Sequence, residues 1–165
     1  MNLSLKKYPR KKLKKKSSFI NNHLEADIPI HPKLSAIIKK HEGLRLKPYT
    51  DSVGKLTIGY GHNLSDNGIT LEIATAILKA DIDIAMIDAR SILKDTYWTL
   101  SQDRQWVIIN MIFNLGKTRF ATFKKLIAAL KGTNYTKAAE EMLNSKWAKQ
   151  VGPRAIELAE IMRNG

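Results

Sequence analysis

Residues 42–62 read EGLRLKPYTDSVGKLTIGYGH, and their texture differs from everything on either side. Two β-prone pieces, around Pro48-Tyr49 and Leu56-Thr57-Ile58, are separated by the turn-forming run Asp51-Ser52-Val53-Gly54 and followed by Gly59-Tyr60-Gly61. That alternation predicts a small hairpin of a twisted sheet. Upstream, Leu34, Ile37 and Ile38 recur at helical spacing. Pro32 is acceptable in a first turn and Gly43 is a stop signal, so a short helix is predicted over Pro32 to Glu42. Glu42 then stands at a helix C-terminus, Asp51 in the hairpin turn and Thr57 on the returning strand.

Beyond a loop over Asn63–Ile69 the pattern is helical. Thr70 is a good N-cap, and Leu71, Ala74, Ile77, Leu78, Ile82 and Ala85 form an apolar stripe on a long helix ending near Leu93. Ser101 caps a helix from Gln102 to Leu115 that is apolar almost all round, which predicts the buried centre of a helical lobe. Trp106 and Trp147, each among aliphatic neighbours, are read as core. Further helices are expected at about 120–131, 135–146 and 153–163, the last with Pro153 in its first turn. The fold class is α+β and mostly helical, with a small β-hairpin lobe and a larger helical lobe joined by the long helix.

Composition sets the outer limits. At 165 residues and 44% hydrophobic content the chain can fill one core. With no cysteine, it can have neither disulfides nor a thiolate metal site nor a cysteine nucleophile. Of the formal charge of +13, eight units come from Lys6, Lys7, Arg10, Lys11, Lys12, Lys14, Lys15 and Lys16, with no acid among residues 1–16. The rest holds 20 basic and 15 acidic residues, a net of +5, ordinary for a globular domain. We therefore expect a basic, mobile arm and linker over 1–32 and a folded domain over 33–165. The arm suits anionic envelope polymers through salt-sensitive contacts, and a merely solvated tail explains the same charges. The following SSFINNHLEADIPIHP is too polar for the apolar core of a secretion signal, and no run reaches the roughly 18 apolar residues of a membrane helix. A target outside the cytoplasm would have to be reached through a pore or by injection.

A carboxyl at a helix end and a second in a hairpin turn are the parts needed to cleave a glycosidic bond. One protonates the leaving oxygen, and the other faces the developing cation or activates water. Spacing alone does not decide the matter, because an arbitrary Glu and Asp nine residues apart are ordinarily surface charges. Asn114 is open to two readings. Its amide could bond the N-acetyl groups of a glycan, with Phe113 and Leu115 beside it, or it could be a cap next to Gly116.

Glu42-Gly43-Leu44-Arg45-Leu46, Tyr49, Asp51, Gly54 and Thr57-Ile58-Gly59-Tyr60-Gly61-His62 resemble the active-site stretch of the phage-type lysozymes, the endolysin muramidases. Asn110-Met111-Ile112-Phe113-Asn114-Leu115-Gly116 resembles the family's central-helix signature, and Ser145-Lys146-Trp147 with Pro153-Arg154-Ala155 its C-terminal cleft-side segment. The resemblance runs over residues 33–165. It implies a monomeric glycoside hydrolase acting on the β-1,4 bonds of peptidoglycan glycan strands in the cell wall, without cofactor or metal, by an inverting route. Glu42 would be the general acid, Asp51 would activate water and Thr57 would hold it. It also implies a structural ion pair between His62 and Asp81, and a structural role for Arg154, which could otherwise bind substrate carboxylates or pair with Glu157. The interval between His62 and Asp81 is only eighteen residues, which implies a reduced small lobe. Nucleic-acid binding would explain the arm but not the arrangement from Glu42 to His62. A lytic transglycosylase would share the substrate.

Overall fold

The computed structural model describes residues 30–165. The expected basic arm and most of its linker fall outside the described residues. The described chain is a mostly helical α+β fold with one three-stranded sheet, and it divides after Gly68 into two compact units.

In the first unit, helix α1 spans Pro32–Glu42. Its N-terminus is capped by His31, whose ring Nδ1 accepts the Lys33 N–H at 3.3 Å. At the other end Gly43 adopts φ +66°, and its N–H closes the last turn on the Lys39 carbonyl. Strands β1 (Arg45–Thr50), β2 (Leu56–Gly59) and β3 (His62–Asn63) form an antiparallel sheet in that order. Tyr49 faces Thr57 and Thr57 faces Asn63, and the β1–β2 ladder is irregular between Arg45 and Tyr49, a stretch that includes Pro48, which has no N–H to give. A helical turn, α2 (Leu64–Asn67), follows, with the Asn63 side chain accepting the Asp66 N–H at 3.0 Å. The expected hairpin is therefore extended by a third strand that takes in Asn63 and by a capped turn, where Asn63–Ile69 was read from sequence as loop. Thr57 is the one fully buried residue among the described residues of this unit. Hydrogen-bonded register, not an apolar core, holds the unit in shape.

The second unit is helical: α3 (Leu71–Leu93), α4 (Asp95–Thr99), α5 (Gln102–Leu115), α6 (Lys117–Phe120), α7 (Lys124–Lys131), α8 (Tyr135–Leu143), α9 (Lys146–Val151) and α10 (Pro153–Asn164). Thr70 and Ser101 cap α3 and α5 as expected. Ala85, Ala89 and Leu93, four apart, are the buried face of α3, and two of the three are small enough to let α5 approach closely. Arg104 of α5 donates to the Met162 and Arg163 carbonyls, binding the C-terminal turn of α10. Its guanidinium also lies 3.7 Å from the Tyr135 ring centroid.

Several expectations are corrected here. The α3 stripe is not buried along its length: Leu71, Ile77, Leu78 and Ile82 stay exposed, because the core of this unit begins only at Ala85. In α5 only Val107, Ile108, Met111 and Ile112 are buried, and Trp106, expected in the core, is 57% exposed, whereas Trp147 is buried as expected. Helix α4 occupies an interval between Leu93 and Ser101 to which no element was assigned, after a break at Lys94 with φ +51°. The helix expected over about 120–131 starts only at Lys124, behind the separate short α6 that ends at Phe120, and that over 135–146 ends at Leu143, where Ser145 caps the separate α9.

Candidate active site

Glu42, Asp51, Thr57 and His62 all belong to the first unit, and the sheet register determines what each can do. Asp51 opens the β1–β2 turn. Its Oδ1 accepts the Val53 N–H at 3.0 Å and the Lys55 N–H at 2.8 Å, while its own N–H donates to the Lys55 carbonyl at 2.9 Å. The carboxylate is thereby held by its own turn, an arrangement that short Asp side chains make readily. Its second oxygen takes no hydrogen bond among the described residues. Gly54, at φ +82°, gives the turn the left-handed residue it requires.

Thr57 is 4% exposed, and its hydroxyl donates to the Lys55 carbonyl at 3.2 Å. The hydroxyl proton is thus committed inward, and the oxygen retains acceptor capacity. One residue, Lys55, orients both groups through its backbone. Its side chain reaches the other way, to the Asp66 Oδ1 at 2.9 Å, while the Leu56 N–H donates to the Ser65 hydroxyl at 2.9 Å. Helical turn α2 therefore braces the Asp51 turn. Asp66 holds the Lys55 ammonium above its usual range, chiefly by hydrogen bonding, and Lys55 holds the Asp66 carboxyl below its own by the same bond. Reading the sequence missed Ser65 and Asp66. The only available signal was a capping pattern, Asn63 followed three residues on by Asp66, in a segment taken as loop.

Glu42, the last residue of α1, is exposed, and neither Leu44 nor Leu46 covers it, since both are exposed too. Those two neighbours give it no apolar surround. What does come close is the β2–β3 turn: a Cβ at Gly61, where φ is +85°, would sit 3.4 Å from the Glu42 Oε2. A glycine there leaves the carboxyl free on that side. The Lys39 ammonium, 5.8 Å from the Tyr60 ring centroid, is a second contact between α1 and this turn. His62 Nε2 lies 2.6 Å from the Gly68 carbonyl, so that nitrogen carries the donated hydrogen.

Asp81, Phe113, Asn114 and Leu115 belong to the second unit. Asp81 lines a pocket of about 360 Å³ with Asp88 and Phe113 in the second unit, whereas His62 belongs to the first. Asn114 is in the last turn of α5, and its Oδ1 accepts the indole N–H of Trp147 at 2.9 Å. The cap itself is Gly116, whose N–H returns to the Ile112 carbonyl. Arg154 donates through Nε and Nη2 to the Asn110 Oδ1; its partner is this amide, and not Glu157. Phe113 is exposed and lines a groove of about 570 Å³, while Leu115 and Trp147 line another of about 730 Å³. No group of three or more histidines or acids with metal-binding geometry occurs among the described residues. No helix among them is long and apolar enough to cross a membrane.

Comparison with known proteins places residues 39–161 within the model of the phage lysozyme family. An endolysin of Acyrthosiphon pisum secondary endosymbiont phage 1 is 37% identical over 117 residues, covering 68% of this chain and 75% of that protein. The endolysin of Salmonella phage P22 is 33% identical over 114 residues, covering 64% and 75% respectively. A probable T4-type lysozyme of Dictyostelium discoideum is 26% identical over 157 residues, covering 78% of this chain and 92% of its own length.

Proposed function

Since the chain belongs to the phage lysozyme family, we propose that it hydrolyses the β-1,4 bonds between N-acetylmuramic acid and N-acetylglucosamine in peptidoglycan, as an endolysin-type muramidase acting on the cell wall. Protonated Glu42 gives its proton to the glycosidic oxygen as the bond to C1 breaks. Water held between Asp51 and Thr57 attacks C1 from the opposite face and passes its proton to Asp51. The product is a new reducing end of inverted configuration. Solvent exchange returns both carboxyls to their starting states.

The observation that carries this reading is the double anchorage on Lys55. The Asp51 Oδ1 is saturated by backbone N–H groups and the Thr57 proton is spent on the Lys55 carbonyl, which leaves one carboxylate oxygen and one hydroxyl oxygen free to accept. Two acceptors held without a long flexible side chain are what water activation needs.

Digestion of purified peptidoglycan by wild type and by Glu42→Gln, with mass analysis of the muropeptides, tests the proposal. Reducing-end products from wild type alone are expected. Anhydro products, lighter by one water, would move the assignment to a lytic transglycosylase, and a fully lytic, folded Glu42→Gln variant would remove Glu42 from its role.

A further inference from the structure

Helix α3 has two apolar faces, and the core takes only one of them. Ala85, Ala89 and Leu93 are its buried residues, and α4, α5 and α6 pack against it. On the opposite side Ile73, Ile77, Ala80, Ile84 and Ile87 follow one another at intervals of four, three, four and three. At about 100° per residue these five fall within an arc of roughly 80°, about 160° around from the buried face and about 21 Å long. All five are exposed, the isoleucines by 46% to 62%. Single exposed apolar residues are ordinary, but a contiguous stripe with this spacing is the surface along which one helix packs on another.

The charges beside the stripe select the partner. Glu72, Lys79, Asp83 and Arg90 lie together on one flank, in the order acid, base, acid, base. A second copy laid antiparallel, with a two-fold axis near Ala80, sets Ile73 against Ile87 and Ile77 against Ile84, and the small Ala80 side chains meet at the crossing. The same axis lays the charged flank beside its own reverse, with Glu72 across from Arg90 and Lys79 across from Asp83. Lys79 and Asp83 already pair within the helix at 2.8 Å, so across the axis four groups alternate in sign. Glu72 and Arg90 are too far apart on one helix to pair, and meet only between copies. On the other flank Asp88 is held by Lys117 at 3.0 Å, while Asp81 faces its own copy and weakens the contact. An anionic membrane fits this face poorly, because α3 carries Glu72, Asp81, Asp83 and Asp88 against only Lys79 and Arg90.

We propose that this face of α3 joins two copies of the chain as an antiparallel, isologous dimer, in place of the monomer that the family resemblance implies. Covering the stripe and the charged flank on both copies buries on the order of 1,000 Å², the lower limit of a specific interface, so the pair is weak, with Kd in or above the micromolar range.

Sedimentation velocity of the full chain from about 1 μM to 1 mM tests this, in about 0.15 M salt, where the repulsion between two chains of charge +13 is screened beyond about 8 Å. Wild type is expected to shift from monomer to dimer with concentration. Ile84→Lys puts a charge in the middle of the stripe without touching the core, and should stay monomeric at an unchanged Tm. Glu72→Arg and Arg90→Glu each set like charges across the axis, so each alone should weaken self-association about 3- to 30-fold. Mixed together, the two variants restore both unlike pairs, and the mixture should associate more tightly than either alone. That complementation requires residue 72 of one copy to lie beside residue 90 of the other, and loss of fold in a variant cannot imitate it. The proposal is overturned if wild type stays monomeric to 1 mM, if Ile84→Lys associates as wild type does, or if the mixture is no tighter than its components. Binding of zwitterionic lipid vesicles by monomeric wild type but not by Ile84→Lys would overturn it in favour of a lipid-docking face.

Discussion

Replacing Gly61 probes the proposed acid without touching it. At φ +85° any residue with a Cβ is strained by about 1–2 kcal/mol. In a chain of this size that lowers Tm by roughly 2–8 °C. Gly68, in the same unit at φ +63°, carries a similar strain but has nothing within 4 Å of its would-be Cβ. The two alanine variants should therefore lose similar stability. They should differ in activity, since only the Cβ at position 61 meets a functional atom, the Glu42 Oε2 at 3.4 Å. That distance is contact, not clash, so Gly61→Ala asks the carboxyl only to give up part of its freedom. Driving it about 30° off its rotamer costs about 0.5–1.5 kcal/mol, or roughly a 2- to 10-fold loss of kcat. Gly61→Val sends methyl groups further along the same direction, into the space the carboxyl occupies, and should cost about 100-fold or more. Thermal melts of the four variants at positions 61 and 68, with turnover on soluble peptidoglycan measured well below each Tm, give the comparison. If the valine variants at 61 and 68 lose the same activity for the same stability, the carboxyl beside Gly61 is not the working acid.

Asp51→Asn retains an oxygen for the Val53 and Lys55 N–H groups, so the turn should persist with little change in Tm, while the loss of charge should lower kcat at least about 100-fold. A variant retaining most activity would transfer water activation to another group. Removal of the Lys55–Asp66 pair has a pH signature. The Asp66 pKa is depressed by folding, so its contribution is present above the ordinary carboxylate pKa of 3.8 and is lost as pH falls through the still lower folded value. Melting Asp66→Asn beside wild type should thus show a difference near neutrality that fades below about pH 4 and shrinks in high salt; a difference constant across that range would mean the pair is not its source.

Much of this was legible in the chain itself. The caps at Thr70 and Ser101, the stops at Gly43 and Gly116, and the turn residues around Asp51 act over a few positions, so their readout is local and the elements they delimit came out where the pattern put them. The order Glu42, Asp51, Thr57 was readable for the same reason, because helix end, turn and strand follow one another directly. Burial was another matter. An apolar residue in a periodic helix says which face it is on, but not whether anything lies opposite. Trp106, Leu78 and Ile82 had the pattern of core residues and are exposed, while the alanines at 85 and 89 mark where packing occurs. Polar pairing was equally out of reach. Trp147 with Asn114, Arg154 with Asn110 and Lys55 with Asp66 are separated by 33, 44 and 11 positions, and only the packed chain brings each donor to its acceptor. Local sequence determined the elements and the order in which the proposed reacting groups fall along them. Tertiary structure decided which way those groups face, because a hydrogen bond is directional and its partner comes from elsewhere in the fold.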